Sequence, residues 1–392
     1  MIKDKIFKEP YRFILGSQYF LYFGVLGIFL PYFNLYCYHL GFSGFQIGGL
    51  SALRTSSTVL FSLIWGVMAE RFRIRRPIYI LCSFLSTAIW IFFLYTSDFW
   101  VMFVITLFYG IFYAPIISFL EAFTMDILGK EKRSYGRIRA WGSVNFILAV
   151  IVIGAIIDYY PIKIILVIIL IGSLLQALSS TAIPHISITG KKSFAPITKV
   201  FLKKRVLVFL FCNFLMLLSH GTYYGFFSIH LENLGFGNTF IGIVWAIATI
   251  AEILVMIRSE IIFRRFSLEN VLVFSFMIAA LRWFVLFFAV SPVSIVLSQI
   301  FHAVTYGTFH MASILYMDKI TPDEAKTLGQ VVNNAVSYGL GMMVGFFFNG
   351  YFYETIGTRT LFMISCFIAL FGGVMLRTFQ KIERGKNPGL YA

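Results

Sequence analysis

Leu40-Gly41-Phe42 with Ile47-Gly48 returns as Leu234-Gly235-Phe236 with Ile241-Gly242, and Arg71-Phe72 returns as Arg265-Phe266, all at one offset of 194 residues. Farther along, Tyr113, Met125-Asp126 and Gly136 find counterparts in Tyr306, Met317-Asp318 and Gly329 at offsets of 192 or 193. Chance does not hold so steady a register over such a length, and the chain reads as two copies of one unit. Apolar runs of about 20 residues, the length that crosses a bilayer as a helix, divide each copy further. They fall at residues 11–37, 44–69, 77–96, 99–128, 138–158 and 162–183, then at 205–231, 238–262, 270–290, 292–320, 328–353 and 358–379. The expectation is an all-α membrane protein of twelve transmembrane helices in two parallel six-helix repeats: one bundle over 1–183, a cytoplasmic linker over 184–204 and a second bundle over 205–392.

Composition agrees. Of 392 residues, 59% are hydrophobic and 12% charged, too few ionisable groups to coat a water-facing surface of this size. The net charge of +15 does not signal nucleic acid, because Lys and Arg sit in short clusters between apolar runs and make no continuous basic face. Those clusters report orientation instead, since basic residues stay on the cytoplasmic side during insertion. Alternate connections carry Arg71/Arg73/Arg75/Arg76, Lys130/Lys132/Arg133/Arg137, the linker, Arg264/Arg265 and Lys319/Lys326, while the opposite ones offer only Lys163 and Arg359. With Lys3/Lys5/Lys8/Arg12 before the first span and Arg377/Lys381/Arg384/Lys386 after the last, both termini are expected to be cytoplasmic in a plasma (inner) membrane. The first apolar run is too long for a signal peptide and is expected to stay as a span. Cys37, Cys82, Cys212 and Cys366 all lie in apolar stretches without CxxC spacing, which argues against a zinc site or a disulfide framework.

Ionisable residues inside the spans are the functional candidates, since each costs about 2.5–3.5 kcal/mol at the bilayer centre. Asp126, Arg258, Glu260 and Asp318 lie near cytoplasmic span ends, where snorkelling or a loop contact satisfies them. Arg54, Glu121, Arg139, Glu252, Arg282, His302 and His310 sit deeper or beside the expected solute path. Glu121 and Arg139 open two readings, a structural ion pair or a hydrogen-bonding clamp for a polar solute. His302, Tyr306 and His310 step by four along one span and share a helical face. Two imidazoles there suit either proton traffic or separate interhelical bonds; a metal lacks a third nearby ligand.

The loops then resemble a known family. Gly66-Val67-Met68-Ala69-Glu70-Arg71-Phe72-Arg73-Ile74-Arg75-Arg76 is similar to the motif between spans 2 and 3 of major facilitator transporters, with Glu70 where aspartate is usual and Arg73 where glycine is usual. The resemblance implies a cytoplasmic gating latch at Gly66, Glu70 and Arg71. Leu120-Glu121-Ala122-Phe123 followed by Tyr135-Gly136-Arg137-Ile138-Arg139-Ala140-Trp141-Gly142-Ser143 resembles the lactose-permease and phenylpropionate-permease branch. So do Ile28-Phe29-Leu30-Pro31 and Phe301-His302-Ala303-Val304-Thr305-Tyr306-Gly307. By that resemblance Glu121, Arg139 and Phe146 hold solute, and Glu252, Arg282 and His302 fall at proton-coupling positions, while Thr305 replaces the family's proton-carrying glutamate.

These readings lead to a secondary active transporter that moves a small organic solute by alternating access, with a proton gradient as coupling ion and no other cofactor. The site expectation is solute at Glu121, Arg139, Phe146 and Arg54, and protons at Glu252, Arg282, His302 and His310. The solute is a sugar or nucleoside if Glu121 and Arg139 act with an aromatic ring, or an aromatic acid if Arg54, Arg139 or Arg282 is a counter-ion. Thr305 keeps a uniporter or an exporter open. A membrane-embedded transferase is disfavoured by short, basic loops, ATP-driven pumping by the lack of a Gly-x-x-x-x-Gly-Lys-Ser/Thr phosphate loop. A non-transporting sensor of the same fold also stays open. The expected partners are the solute and membrane lipid, with no nucleic acid and a monomeric state.

Overall fold

The computed structural model of the protein describes residues 2–184 and 199–386; most of the expected linker, with Lys191, Lys192 and Pro196, lies outside the described residues. Within them every regular element is helical. The helices are α1 (Ile2–His39), α2 (Gly44–Phe72), α3 (Arg75–Trp90), α4 (Phe99–Tyr113), α5 (Pro115–Leu128), α6 (Tyr135–Ile157) and α7 (Ile164–Ser180), then α8 (Lys204–Asn233), α9 (Asn238–Arg265), α10 (Leu268–Phe288), α11 (Pro292–Ile300), α12 (Phe309–Ile320), α13 (Lys326–Asn334) and α14 (Met342–Lys386). Helices alone suit lipid, where each backbone N–H and C=O must find its partner inside its own segment.

Nine helical runs among the described residues are long and apolar enough to cross a membrane. One of them, Leu328–Glu383, bends sharply where Gly357 takes φ 70°, ψ 164°. The apolar α7 is shorter, at 17 residues. Two π-helical segments interrupt the regular winding, Ala303–Thr308 between α11 and α12 and Ala335–Gly341 between α13 and α14.

The recurring Leu-Gly-Phe motif is one turn built twice. After α1, Gly41 enters the left-handed region at φ 80°, its amide reaches Tyr38 O at 2.9 Å, and the Phe42 amide reaches back to Cys37 O at 3.2 Å. After α8, Gly235 does the same at φ 86°, with Gly235 on Glu232 O at 2.8 Å and Phe236 on Leu231 O at 3.1 Å. Both turns satisfy the open carbonyls of a helix end at a position that glycine occupies without strain. The helices that follow are capped differently. Ser43 and Gln46 form a reciprocal box, with the Ser43 amide on Gln46 Oε1 at 2.9 Å. At the matching place α9 has Gly237, and the cap comes from Asp158, which accepts the Asn238 amide at 2.7 Å, the Thr239 amide at 3.0 Å and the Thr239 hydroxyl at 2.5 Å.

The chain forms two compact units. The first comprises Met1–Phe42, Leu53–Lys191 and Leu231–Ala246; the second comprises Ser43–Ala52, Lys192–His230 and Ile247–Ala392. In the first, α1 packs on α6 and α7, and α3 on α4 and α7. Gln18 ties three helices there: it donates to Gln176 O and Ser179 Oγ and accepts from the Tyr79 hydroxyl. In the second, α10 packs on α14 and α12, and Asn213, Ser313 and Asn333 bond one another at 2.6–3.0 Å. Such interhelical bonds hold helices together where lipid supplies no hydrophobic drive between them.

Candidate functional site

The first unit gathers charge and aromatic rings. Arg139, early in α6, extends over α1, where its guanidinium carbon lies 3.8 Å from the Phe23 ring centroid and 5.7 Å from that of Tyr19. Glu121, on α5, accepts the Tyr135 hydroxyl at 3.5 Å and feels the Arg139 charge. No Glu121–Arg139 ion pair within 4.0 Å forms among the described residues, because the guanidinium rests on the ring instead. A ring contact leaves N–H donors free that an ion pair would consume. Arg54, on α2, lies 4.7 Å from the Phe29 centroid. Nearby, Tyr22 stacks on Tyr113 at 5.4 Å and Tyr113 on Tyr109 at 5.0 Å. Phe146 is buried in the seam between α6 and α1, close enough that a side chain at Gly27 would meet its carbonyl at 2.9 Å. Phe23 and Tyr19, not Phe146, are the rings that Arg139 meets.

The second unit brings three of the four expected coupling residues into one chain. Arg282, fully buried on α10, donates to Ser298 O at 3.0 Å, His302 Nδ1 at 2.8 Å, Gln299 Oε1 at 3.2 Å and the Thr305 hydroxyl at 3.3 Å. A guanidinium only donates, so His302 accepts at Nδ1 and in its neutral form carries its proton on Nε2. That nitrogen lies 3.9 Å from Glu252 Oε2. Guanidinium, imidazole and carboxylate thus stand in order, with Tyr223 under Arg282 at 4.3 Å. Gly307 permits the approach of α9, since a Cβ there would come within 2.9 Å of Glu252 Cγ. His302 stacks on Tyr306 at 5.1 Å and Tyr306 on His310 at 6.3 Å, so the ladder read from their spacing exists although the helix beneath it is π-wound. His310 is the outlying member, bonded through Nδ1 to the Tyr338 hydroxyl at 2.7 Å.

His220 escaped the sequence reading, which took up only the histidines beside Tyr306. It lies mid-span on α8, fully buried, 4.9 Å from Trp283 and 6.5 Å from His302 between ring centroids. The cost of an intramembrane histidine was the available signal. Gln299 was missed as well; it accepts from both Arg282 and Tyr223.

At the expected cytoplasmic side, Asp126 pairs with Arg75 at 2.7 Å, Glu260 with Arg264 at 2.5 Å and Asp318 with Lys326 at 3.2 Å. The latch residues are not brought together. A Cβ at Gly66 would meet open space, Arg71 lies over the adjacent Phe72 ring at 5.7 Å, and Glu70 forms no ion pair among the described residues.

The model of the MFS_1 like family matches residues 13–364, most of the chain. The chain belongs to the MFS_1-like family. It is therefore a multi-pass membrane transporter of the major facilitator type, not an enzyme. Relatives of this MFS_1-like protein include a probable 3-phenylpropionic acid transporter of Escherichia coli, 24% identical with 91% of this chain and 94% of the relative covered. A maltose permease of Geobacillus stearothermophilus is also 24% identical, covering 93% and 94%. The crystal structure of the nucleoside transporter NupG shares the fold, with a TM-score of 0.81 at 19% identity, covering 95% of this chain and 99% of that one.

Proposed function

We propose that this MFS_1-like protein is a proton-coupled importer of a small organic solute, working by alternating access. In this reading twelve spans in two parallel six-helix repeats cross the plasma (inner) membrane with both termini cytoplasmic. The protein acts as a monomer, with a proton gradient in place of any cofactor. The observation that carries it is the order Arg282, His302, Glu252. Thr305 offers Arg282 a neutral hydroxyl where relatives of the lactose-permease branch are expected to hold a glutamate, so the transported proton falls to Glu252 through His302. A proton on Glu252 neutralises the carboxylate facing the imidazole, which loosens the hold of α9 on the π-wound segment and lets the loaded carrier reorient. Arg139 and Glu121, with Phe23 and Tyr19 beside them, supply donors, an acceptor and ring faces for the solute.

Glu252→Gln tests this assignment. In proteoliposomes the variant is expected to keep solute exchange between equal compartments while losing accumulation against a gradient. Undiminished accumulation would reassign the proton. Thr305 also favours a second reading, a uniporter or exporter of the same fold, for which wild-type accumulation ignores an imposed pH difference.

A further inference from the structure

His220 holds a bonding capacity that nothing among the described residues uses. Its Nδ1 lies 2.8 Å from the Met216 carbonyl on its own helix. A carbonyl only accepts, so the proton sits on Nδ1, and the neutral ring presents a lone pair at Nε2 on the side away from that helix. Nε2 is buried and has no hydrogen-bond partner among the described residues. Its neighbours on α8 are all engaged. Ser219 accepts from Trp283 Nε1 at 3.3 Å, Thr222 donates to Asn349 Oδ1 at 2.6 Å, and Gly221 lies against Gly345, where a Cβ would come within 2.7 Å of backbone. These contacts hold the rotational setting of α8, so the orphan is not a mobile side chain caught between partners. An acceptor left bare in the interior costs stability, and such a group calls for a partner that comes and goes. Around His220 stand Tyr224, Tyr306 and His302, with ring centroids 6.4–6.5 Å away. The face is aromatic, with a neutral acceptor set into it.

We propose that His220 Nε2 is a specificity-determining acceptor that takes a hydrogen bond from an N–H or O–H group of the transported solute. This rests on the transport reading above and narrows it: the solute is a polar, donor-bearing ring compound, a sugar or nucleoside. An aromatic carboxylate, ionised at neutral pH, brings no donor to that lone pair. The carboxylate would also find Arg282 already engaged by four protein acceptors.

The test is binding of uridine, maltose and 3-phenylpropionate to the purified full chain, for wild type, His220→Gln and His220→Asn. A glutamine amide sets an acceptor near the Nε2 position; an asparagine amide keeps a donor near Nδ1 and leaves Nε2 empty. Wild type is expected to bind uridine or maltose at least tenfold more tightly than 3-phenylpropionate. His220→Asn should weaken that binding about tenfold and His220→Gln by less than about threefold. The wild-type comparison needs no variant to fold. Equal affinity in His220→Asn and wild type, an equal loss in both variants, or a wild-type preference for 3-phenylpropionate overturns the proposal while leaving transport standing. Wild type that neither binds nor transports any of the three overturns the transport reading together with it.

Discussion

At the scale of single residues, the backbone of Arg73 shows what one departure from a family pattern costs. It follows α2 at φ 56°, the sole non-glycine residue with positive φ among the described residues, and the next amide closes the turn from Ile74 to Ala69 O at 3.1 Å. Relatives are expected to place glycine there, and the geometry gives the reason: an L side chain in the left-handed region costs about 1–2 kcal/mol. Glycine gives back part of that gain through its freer unfolded chain. Arg73→Gly is expected to raise stability by about 0.5–1 kcal/mol, read as a higher thermal midpoint in detergent; a lower midpoint would mean that the arginine makes a contact worth more than its strain. Arg139 teaches a related lesson. Its position and that of Glu121 were legible from the motif, but its resting place over Phe23 was not, because a rotamer is chosen by the helix it meets and no local pattern records that helix.

At the scale of elements, the two copies of the Leu-Gly-Phe turn were legible because the constraint is local: a helix end, a left-handed glycine and a back-bonded amide within six residues. The start of α9 was not, because its cap arrives from 80 residues upstream. Burial pulls the Asp158 carboxyl upward, but the hydrogen bonds from Thr239 and Asn238 outweigh it and hold the group below the usual aspartate range. A lowered native value means that the carboxylate stabilises the folded state above about pH 4 and that this contribution fades as pH falls through the native value. Asp158→Asn should therefore lower stability at pH 7 by about 1 kcal/mol, read as a lower thermal midpoint, and the gap to wild type should narrow as pH falls through the native carboxyl's lowered value. A gap that stays constant across that range would show that Asp158 acts through shape rather than charge. The π-helical segments Ala303–Thr308 and Ala335–Gly341 were equally hidden, since their wider winding changes which residues align without changing their polarity.

At the scale of the whole molecule, the membrane-spanning character was the most legible feature, because hydrocarbon imposes a length and an apolarity that every span must meet. Basic loops and intramembrane charges stood out for the same reason. The chemistry was legible only in part. Arg282, His302 and Glu252 could be named from sequence as a set, but their order, with the imidazole between guanidinium and carboxylate, depends on how α9, α10 and the segment after α11 meet. His220 shows the limit: its Nε2 has no hydrogen-bond partner among the described residues, and no sequence pattern records a partner that is missing. All of these features serve one claim, that entry of solute carries a proton by way of Glu252. The most direct measurement is the internal pH of proteoliposomes holding wild-type protein and a trapped pH indicator, followed after a transported solute is added outside with no preset gradient. Internal acidification is expected to follow solute entry and to be absent in Glu252→Gln; solute entry in wild type with no change in internal pH would rule out the proton route through Glu252.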